Sequence, residues 1–299
     1  MNQIIKNELR ELYTSFDMTN NFYEKEYMVS FFDYLKAVFN DDKEIIEMSD
    51  DINKKITNLR RDSIFFLIAR KRKIDEYVEN NQDFFYENII APDSFEKIMS
   101  DCIFPLRDDN ITYILEEFFK SMGKGIYDYY KKINDEGRIF IGISNETAYT
   151  SLNNSNTIIF VKSLEDLLDM MVLIHEIGHA YYFYLNNTKI RERNDIENEI
   201  KEEIPAKIME IKFINFLKDN ALYEQSIVLK NLFDYVFYEY GRSENKFDAL
   251  KYTIASDIAE TSGNDVDIDN YFKHIYSTDI YKLVLENTNN KAMGKRFFK

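Results

Sequence analysis

The sequence predicts a mainly α-helical protein with one small β-sheet. Only 8 of the 299 residues are glycine and 3 are proline, and this scarcity of turn-forming residues favours long helices. Over most of the chain apolar residues recur every three or four positions, which is the period of a helix with one buried face. Only residues 138–143 and 157–161 are short, β-branched and aromatic enough to predict strands.

The first part of the chain is predicted to form successive helices. Apolar residues recur at helical spacing over residues 2–17, 20–40 and 43–81, and residues 64–69 are the most apolar part of the last segment. Helix packing explains these stripes, and neither a phosphate-binding glycine loop nor a second chemical motif accompanies them.

A further helix is predicted over residues 110–134, with Gly123 and Gly125 weakening its middle. The two strand segments follow, separated by a polar loop over residues 144–156. The small sheet has two open interpretations: a structural hairpin, or an edge strand that pairs with the backbone of a peptide substrate.

Residues 163–185 are predicted to form one apolar helix. Ser163 with Asp166 resembles a capping box at its start, and the asparagines at 186–187 end it. Gly178 inside a helix costs about 1 kcal/mol relative to alanine. It therefore indicates a close approach by a metal, a substrate or a second helix.

This helix carries the pattern H-E-x-x-H at His175, Glu176 and His179. Side chains four residues apart lie one above the other on a helix, so both imidazoles point the same way. Two imidazoles in this arrangement can bind one Zn²⁺, and the glutamate between them can deprotonate an attacking water. Two of the 3 histidines in the chain lie in this motif, which favours a metal site over chance.

A catalytic zinc site needs a third protein ligand and one open position. The longer histidine motif of the metzincins is not met, because its glycine and third histidine fall on Tyr182 and Leu185. A carboxylate from a later helix is the other common solution, although an acidic run is more often a solvated surface. Spacing alone leaves five candidates open: Glu197, Glu199, Glu202, Glu203 and Glu210.

The segments HEIGHAYYF and EIPAKIME resemble the M3 family of zinc oligopeptidases, the group of thimet oligopeptidase and oligoendopeptidase F. The resemblance covers roughly residues 90–299 and is most specific at these two segments. It implies a zincin-like helical catalytic domain, with Zn²⁺ on His175, His179 and Glu203. It also implies that Glu176 is the general base and that the substrate is a peptide. Glu210 is expected to contact one of the metal-binding side chains and orient it.

Three departures from the family stand out. Tyr182 occupies a position where the family often has histidine, and His274 lies too late to match the family's oxyanion-binding histidine. Tyr252 is the best candidate for the oxyanion-binding tyrosine and Tyr240 the second, while Phe247 falls where the family has tyrosine. The chain is also about half the usual length, which leaves the substrate as either oligopeptides or one dedicated precursor or leader peptide.

These departures motivate two alternatives to a zinc-dependent metalloendopeptidase. One is a catalytically inactive, zinc-containing, peptide-binding module. The other is a chaperone or immunity-type partner protein built on the same scaffold. The chain is predicted to comprise a helical N-terminal region (1–135) and a catalytic region (136–299), or one continuous domain.

The composition of the chain limits the kinds of partner and the cellular environment that we expect for it. A net charge of −15 disfavours nucleic acid, and a single cysteine excludes an intramolecular disulfide. No apolar run is long enough to cross a membrane, and the N-terminus lacks signal-peptide features. The expectation is therefore a cytoplasmic protein whose oligomeric state the sequence does not fix.

Overall fold

The computed structural model describes residues 1–57, 60–81, 97, 108–142, 148–153, 156–188, 195–241, 243–262 and 266–288. The described part is mainly helical with a small sheet, as predicted. Twelve helices are present in these ranges: α1 (Gln3–Met18), α2 (Phe22–Val38), α3 (Lys43–Thr57), α4 (Arg60–Asn80), α5 (Asp108–Ser121), α6 (Lys124–Asp135), α7 (Leu167–Asn186), α8 (Ile196–Asp219), α9 (Tyr223–Gly241), α10 (Lys246–Ser262), α11 (Ile268–Ser277) and α12 (Ile280–Thr288).

The first two helices, α1 and α2, begin at asparagine caps. The side chain of Asn2 accepts a hydrogen bond from the backbone N–H of Ile5 at 3.0 Å, and Asn21 accepts one from Tyr23 at 3.0 Å. Such caps satisfy backbone donors that the first helical turn leaves unpaired. The segment predicted over 43–81 consists of two helices, α3 and α4, with residues 58–59 outside the described part. The side chains of residues 64–67 also lie outside it.

The prediction of a single helix over residues 110–134 is wrong. It is divided into α5 and α6 at Gly123, which has φ +115° and lies directly before α6. L-residues with a side chain rarely adopt this backbone conformation. The glycine therefore ends the first helix instead of merely weakening one long helix.

The sheet has three strands, β1 (Ile139–Ile141), β2 (Ala148–Asn153) and β3 (Asn156–Val161), in the order β1-β3-β2. β1 and β3 are parallel, so the two predicted strands do not form a hairpin with each other. β2 lies in the segment predicted as a polar loop, and it pairs antiparallel with β3. Both β2 and β3 lie against α7.

Helix α7 begins later than predicted. Its N-cap is Asp166, whose carboxylate accepts the backbone N–H of Asp169 at 2.9 Å. Ser163 instead donates to the Asp169 carboxylate at 3.0 Å from outside the helix. The predicted end is confirmed, because Asn187 adopts the left-handed conformation with φ 47°.

The centre of the fold is the contact between α7 and α8. A Cβ atom built on Gly178 would lie 2.8 Å from the Cα atom of Ala206 and 3.1 Å from the carbonyl oxygen of Pro205. The glycine therefore allows the two helix backbones to touch. Of the three partners considered for Gly178, the close approach of a second helix is the one that explains it. Helices α9 and α10 also pack on α8, which buries this helix on nearly all sides.

The buried side chains form one continuous hydrophobic cluster that includes residues of both predicted regions. Arg138, which is 4% exposed, joins β1 to α1 by donating to both carboxylate oxygens of Glu8 at 2.7 Å. None of the helices in the described ranges is long and apolar enough to cross a membrane.

Candidate metal centre

Helix α7 brings His175 and His179 together, as their spacing predicts. Their Nε2 atoms lie 3.1 Å apart, and the two ring planes are inclined at 82°. Both rings are mostly buried, with side-chain exposures of 19% and 12%. Two Nε2 atoms that face each other at this distance can donate electron pairs to a common cation.

Helix α8 adds Glu203 to this pair. Its Oε2 atom lies 3.8 Å from Nε2 of His175 and 3.7 Å from Nε2 of His179. Among the described residues this buried oxygen has no hydrogen-bond partner. A buried carboxylate oxygen without a partner is costly, and a cation between the three atoms would remove that cost.

The three atoms fit a zinc ion. Bonds of about 2.0–2.1 Å at tetrahedral angles place two ligand atoms about 3.4 Å apart. The observed separations of 3.1, 3.7 and 3.8 Å bracket that value. Two imidazoles with one carboxylate are also a donor set that suits zinc. The ligand roles of His175, His179 and Glu203 stay a prediction that this geometry supports.

Glu210 orients the first imidazole. Its Oε1 lies 2.6 Å from Nδ1 of His175. A carboxylate accepts, so the proton of the neutral imidazole lies on Nδ1 and the lone pair on Nε2. This is the tautomer that a metal ligand requires, and a carboxylate behind a ligating histidine is a common arrangement.

Two lysines near the site were not predicted from the sequence. Lys207, only 5% exposed, donates to both oxygens of Glu210 at 2.9 and 3.0 Å. Lys251, on α10, lies 3.1 Å from Oε1 of Glu203. The spacing of Lys207 and Glu210 on one helix could have indicated the first pair. No sequence signal connects Lys251 to Glu203, because they lie on different helices.

The charges around the site keep both glutamates ionised. Burial alone raises the pKa of Glu203, but electrostatic interactions with His179, Lys251 and His175 outweigh it and lower that pKa to about 2. Burial likewise raises the pKa of Glu210, and the charge of Lys207 with the His175 hydrogen bond lowers it below the usual value. Burial lowers the pKa of His175, yet Glu210 raises it more, so the net shift is upward.

Glu176 lies with the two histidines in a group whose potential ligand atoms are all within 4.8 Å of one another. It is half-buried on the same helix. A carboxylate this close to the two imidazoles is in reach of a water molecule that approaches the same point.

Tyr252 lies beside Lys251 on α10, and its ring stacks on Tyr240 of α9 with centroids 3.9 Å apart. The ammonium of Lys251 lies 4.5 Å from the centre of the Tyr252 ring. Burial and the negative charge of Glu203 raise the pKa of the Tyr252 hydroxyl, so it remains a proton donor. Its predicted role in binding an oxyanion stays a prediction. Phe247 is buried and has no hydroxyl to offer.

The remaining residues singled out from the sequence lie elsewhere. Tyr182 is 2% exposed and packs against Phe272 and Tyr276. His274 is on α11, where its Nε2 lies 2.8 Å from a carboxylate oxygen of Glu286. Of the other acidic candidates, Glu199 forms an ion pair with Arg70 of α4.

Comparison with family models gives no match, and comparison with curated proteins gives none either. A solved structure from Bacillus anthracis str. Ames, provisionally described as an oligoendopeptidase F, is similar to 62% of this chain with a TM-score of 0.47 and 17% sequence identity. The matched region spans only 43% of that longer chain.

Proposed function

We propose that this protein is a zinc-dependent metalloendopeptidase that hydrolyses peptide bonds in oligopeptides. One observation carries the proposal: the Nε2 atoms of His175 and His179 and Oε2 of Glu203 surround one point, at separations of 3.1 to 3.8 Å. This oxygen has no hydrogen-bond partner in the part of the chain that the structure describes. His175 is also held in the tautomer that a metal needs.

A zinc ion at this point would supply Lewis-acid activation of water and of a peptide carbonyl. Glu176 would then take the proton of the attacking water and pass it to the leaving amine as the C–N bond breaks. The hydroxyl of Tyr252 would donate a hydrogen bond to the carbonyl oxygen as it gains negative charge. The reaction consumes one water and gives a new carboxylate and a new amine.

The sheet supports a peptide as substrate. Among the described strands β2 pairs only with β3, so it is an edge strand, and it lies against the helix that carries the histidines. An extended peptide can add to such an edge by backbone hydrogen bonds. Pairing of this kind would hold the peptide beside the metal centre.

The deciding variant is Glu176→Gln, which keeps the shape of the side chain and removes its basicity. We expect zinc content to stay at the wild-type level and kcat for peptide cleavage to fall by about 10²–10⁴-fold. Glu165→Gln is the matched control, because Glu165 is exposed just before α7, and it should cleave like the wild type. Full activity in Glu176→Gln would reject the mechanism.

A peptide library and a folded protein, incubated with the zinc-loaded enzyme, test the substrate class. Oligopeptides should be cleaved and the folded protein spared; efficient cleavage of the folded protein would reject an oligopeptidase. If the wild type binds zinc and peptide without any turnover, the inactive peptide-binding module is the correct function.

A further inference from the structure

Lys251 gives the two oxygens of Glu203 different environments. Its Nζ lies 3.1 Å from Oε1, and its side chain is 17% exposed. Oε2 of the same carboxylate is buried, has no hydrogen-bond partner among the described residues, and faces the two imidazoles. One oxygen is therefore engaged by an ammonium, while the other remains available to a metal.

The second lysine–glutamate pair shows that this division is specific to Glu203. Lys207 contacts both oxygens of Glu210 at 2.9 and 3.0 Å, and Oε1 of Glu210 also faces Nδ1 of His175. Glu210 consequently has no oxygen left for a metal. The two pairs thus separate a carboxylate that can bind the ion from one that supports a ligand.

The division matters because a carboxylate can bind a metal through one oxygen or through both. Two imidazoles and one carboxylate oxygen leave the fourth position of a tetrahedral zinc ion open, and catalysis needs that position for water or substrate. Binding through both oxygens would add a further ligand atom, which crowds this position and makes the ion five-coordinate once water is bound. A hydrogen bond from an ammonium to Oε1 opposes the second mode.

We propose that Lys251 is a positioning residue, which holds Oε1 of Glu203 so that this glutamate binds the metal through Oε2 alone and the fourth coordination position stays open. The inference deepens the proposed function and rests on it. Lys251 acts through Glu203 and exchanges no proton with the substrate.

The test uses Co²⁺ in place of zinc, because the visible spectrum of Co²⁺ reports its coordination number: four-coordinate ions absorb strongly and five-coordinate ions weakly. The full-length wild type should give the strong spectrum. Lys251→Met, which keeps the length of the side chain but removes its donor, should bind Co²⁺ with a weakened spectrum and lose about 10–100-fold in kcat. A Lys251→Met spectrum identical to that of the wild type would overturn the proposal.

Lys230→Met is the matched control. Lys230 also forms a lysine–glutamate pair with α10, at 2.8 Å from Glu260, but this pair contains no predicted ligand. Its spectrum should equal that of the wild type. Lys251→Arg, which restores a charged donor, should recover the strong spectrum, and this variant also serves if the methionine variant does not fold. An arginine variant with the weakened spectrum would overturn the proposal.

The two proposals can fail separately. A wild type with the strong Co²⁺ spectrum but no peptide cleavage would refute the peptidase and leave the role of Lys251 intact. Cleavage by the wild type together with unchanged kcat and spectrum in Lys251→Met would refute the role of Lys251 alone.

Discussion

The N-terminal helices α1–α3 and the central helix α8 use charged residues in opposite ways. The ion pairs that connect helices of the first group to one another lie on the surface, such as Lys36 with Asp50, whose side chains are 41% and 49% exposed. In α8 five charged residues are each no more than 7% exposed. They are Lys201, Glu202, Glu203, Lys207 and Glu210.

The difference shows that a charged run in a sequence has no fixed meaning. Water solvates the pairs of α1–α3, so each contributes little to folding. The charges of α8 have lost most of their hydration, which costs free energy even where they are paired, as Lys207 is with Glu210 and Glu203 with Lys251. The proposed cation site would account for that cost. The difference between the two regions can be measured in the metal-free protein.

The largest expected effect comes from breaking the pair of Lys207 and Glu210. Glu210→Leu leaves a buried ammonium without its carboxylate, and we expect the free energy of unfolding to fall by about 3–5 kcal/mol in urea titrations. The double variant Lys207→Met/Glu210→Leu removes both charges and should recover most of that loss. A double variant as unstable as the single one would show that packing and not charge sets the cost.

The next effect concerns pH and Glu203. Its pKa is lowered to about 2 in the folded protein, against about 4.3 when unfolded. A lowered pKa contributes stability above the unfolded value, and this contribution is lost as pH falls from about 4.3 towards 2. It is on the order of 3 kcal/mol. Unfolding of metal-free Glu203→Gln should depend less steeply on pH in this window, and an equal slope would contradict the shift.

A smaller effect is expected from Gly178→Ala. Helix propensity alone would stabilise the variant by about 1 kcal/mol, whereas overpacking costs about 1–3 kcal/mol. Two of the three closest atoms belong to the backbone of α8 and cannot rotate away. We therefore expect a net loss of about 1 kcal/mol by thermal or urea unfolding. Increased stability would mean that the two helices separate easily.

The smallest effect is expected on the surface. Asp50→Ala removes the partner of Lys36 at 2.5 Å, and the lysine then remains in water. The free energy of unfolding should change by no more than about 0.5 kcal/mol. A loss comparable to that of Glu210→Leu would abolish the contrast between the two regions.

The mainly helical class followed from the sequence because apolar spacing determines which face of each helix is buried. The approach of His175 to His179 followed from the same geometry. Glu203 could be selected among five acids only through the family resemblance, since its neighbours share its chemistry. β2 was missed because its polar residues resemble a loop. The end of α5 was missed because it depends on the backbone conformation of a single glycine, Gly123. Lys251 could not be predicted, because only tertiary packing brings it to α8.

Gly178 has one further consequence. It lies between the two histidines on α7 and touches α8 three residues beyond Glu203, so this contact sets the separation of the two helices that carry the proposed ligands. The absence of a methyl group at this position therefore determines how closely the two helices approach each other at the site. In the proposed metal site, affinity for ions of different radius would depend on the distance between these two backbones as well as on the identity of the ligands.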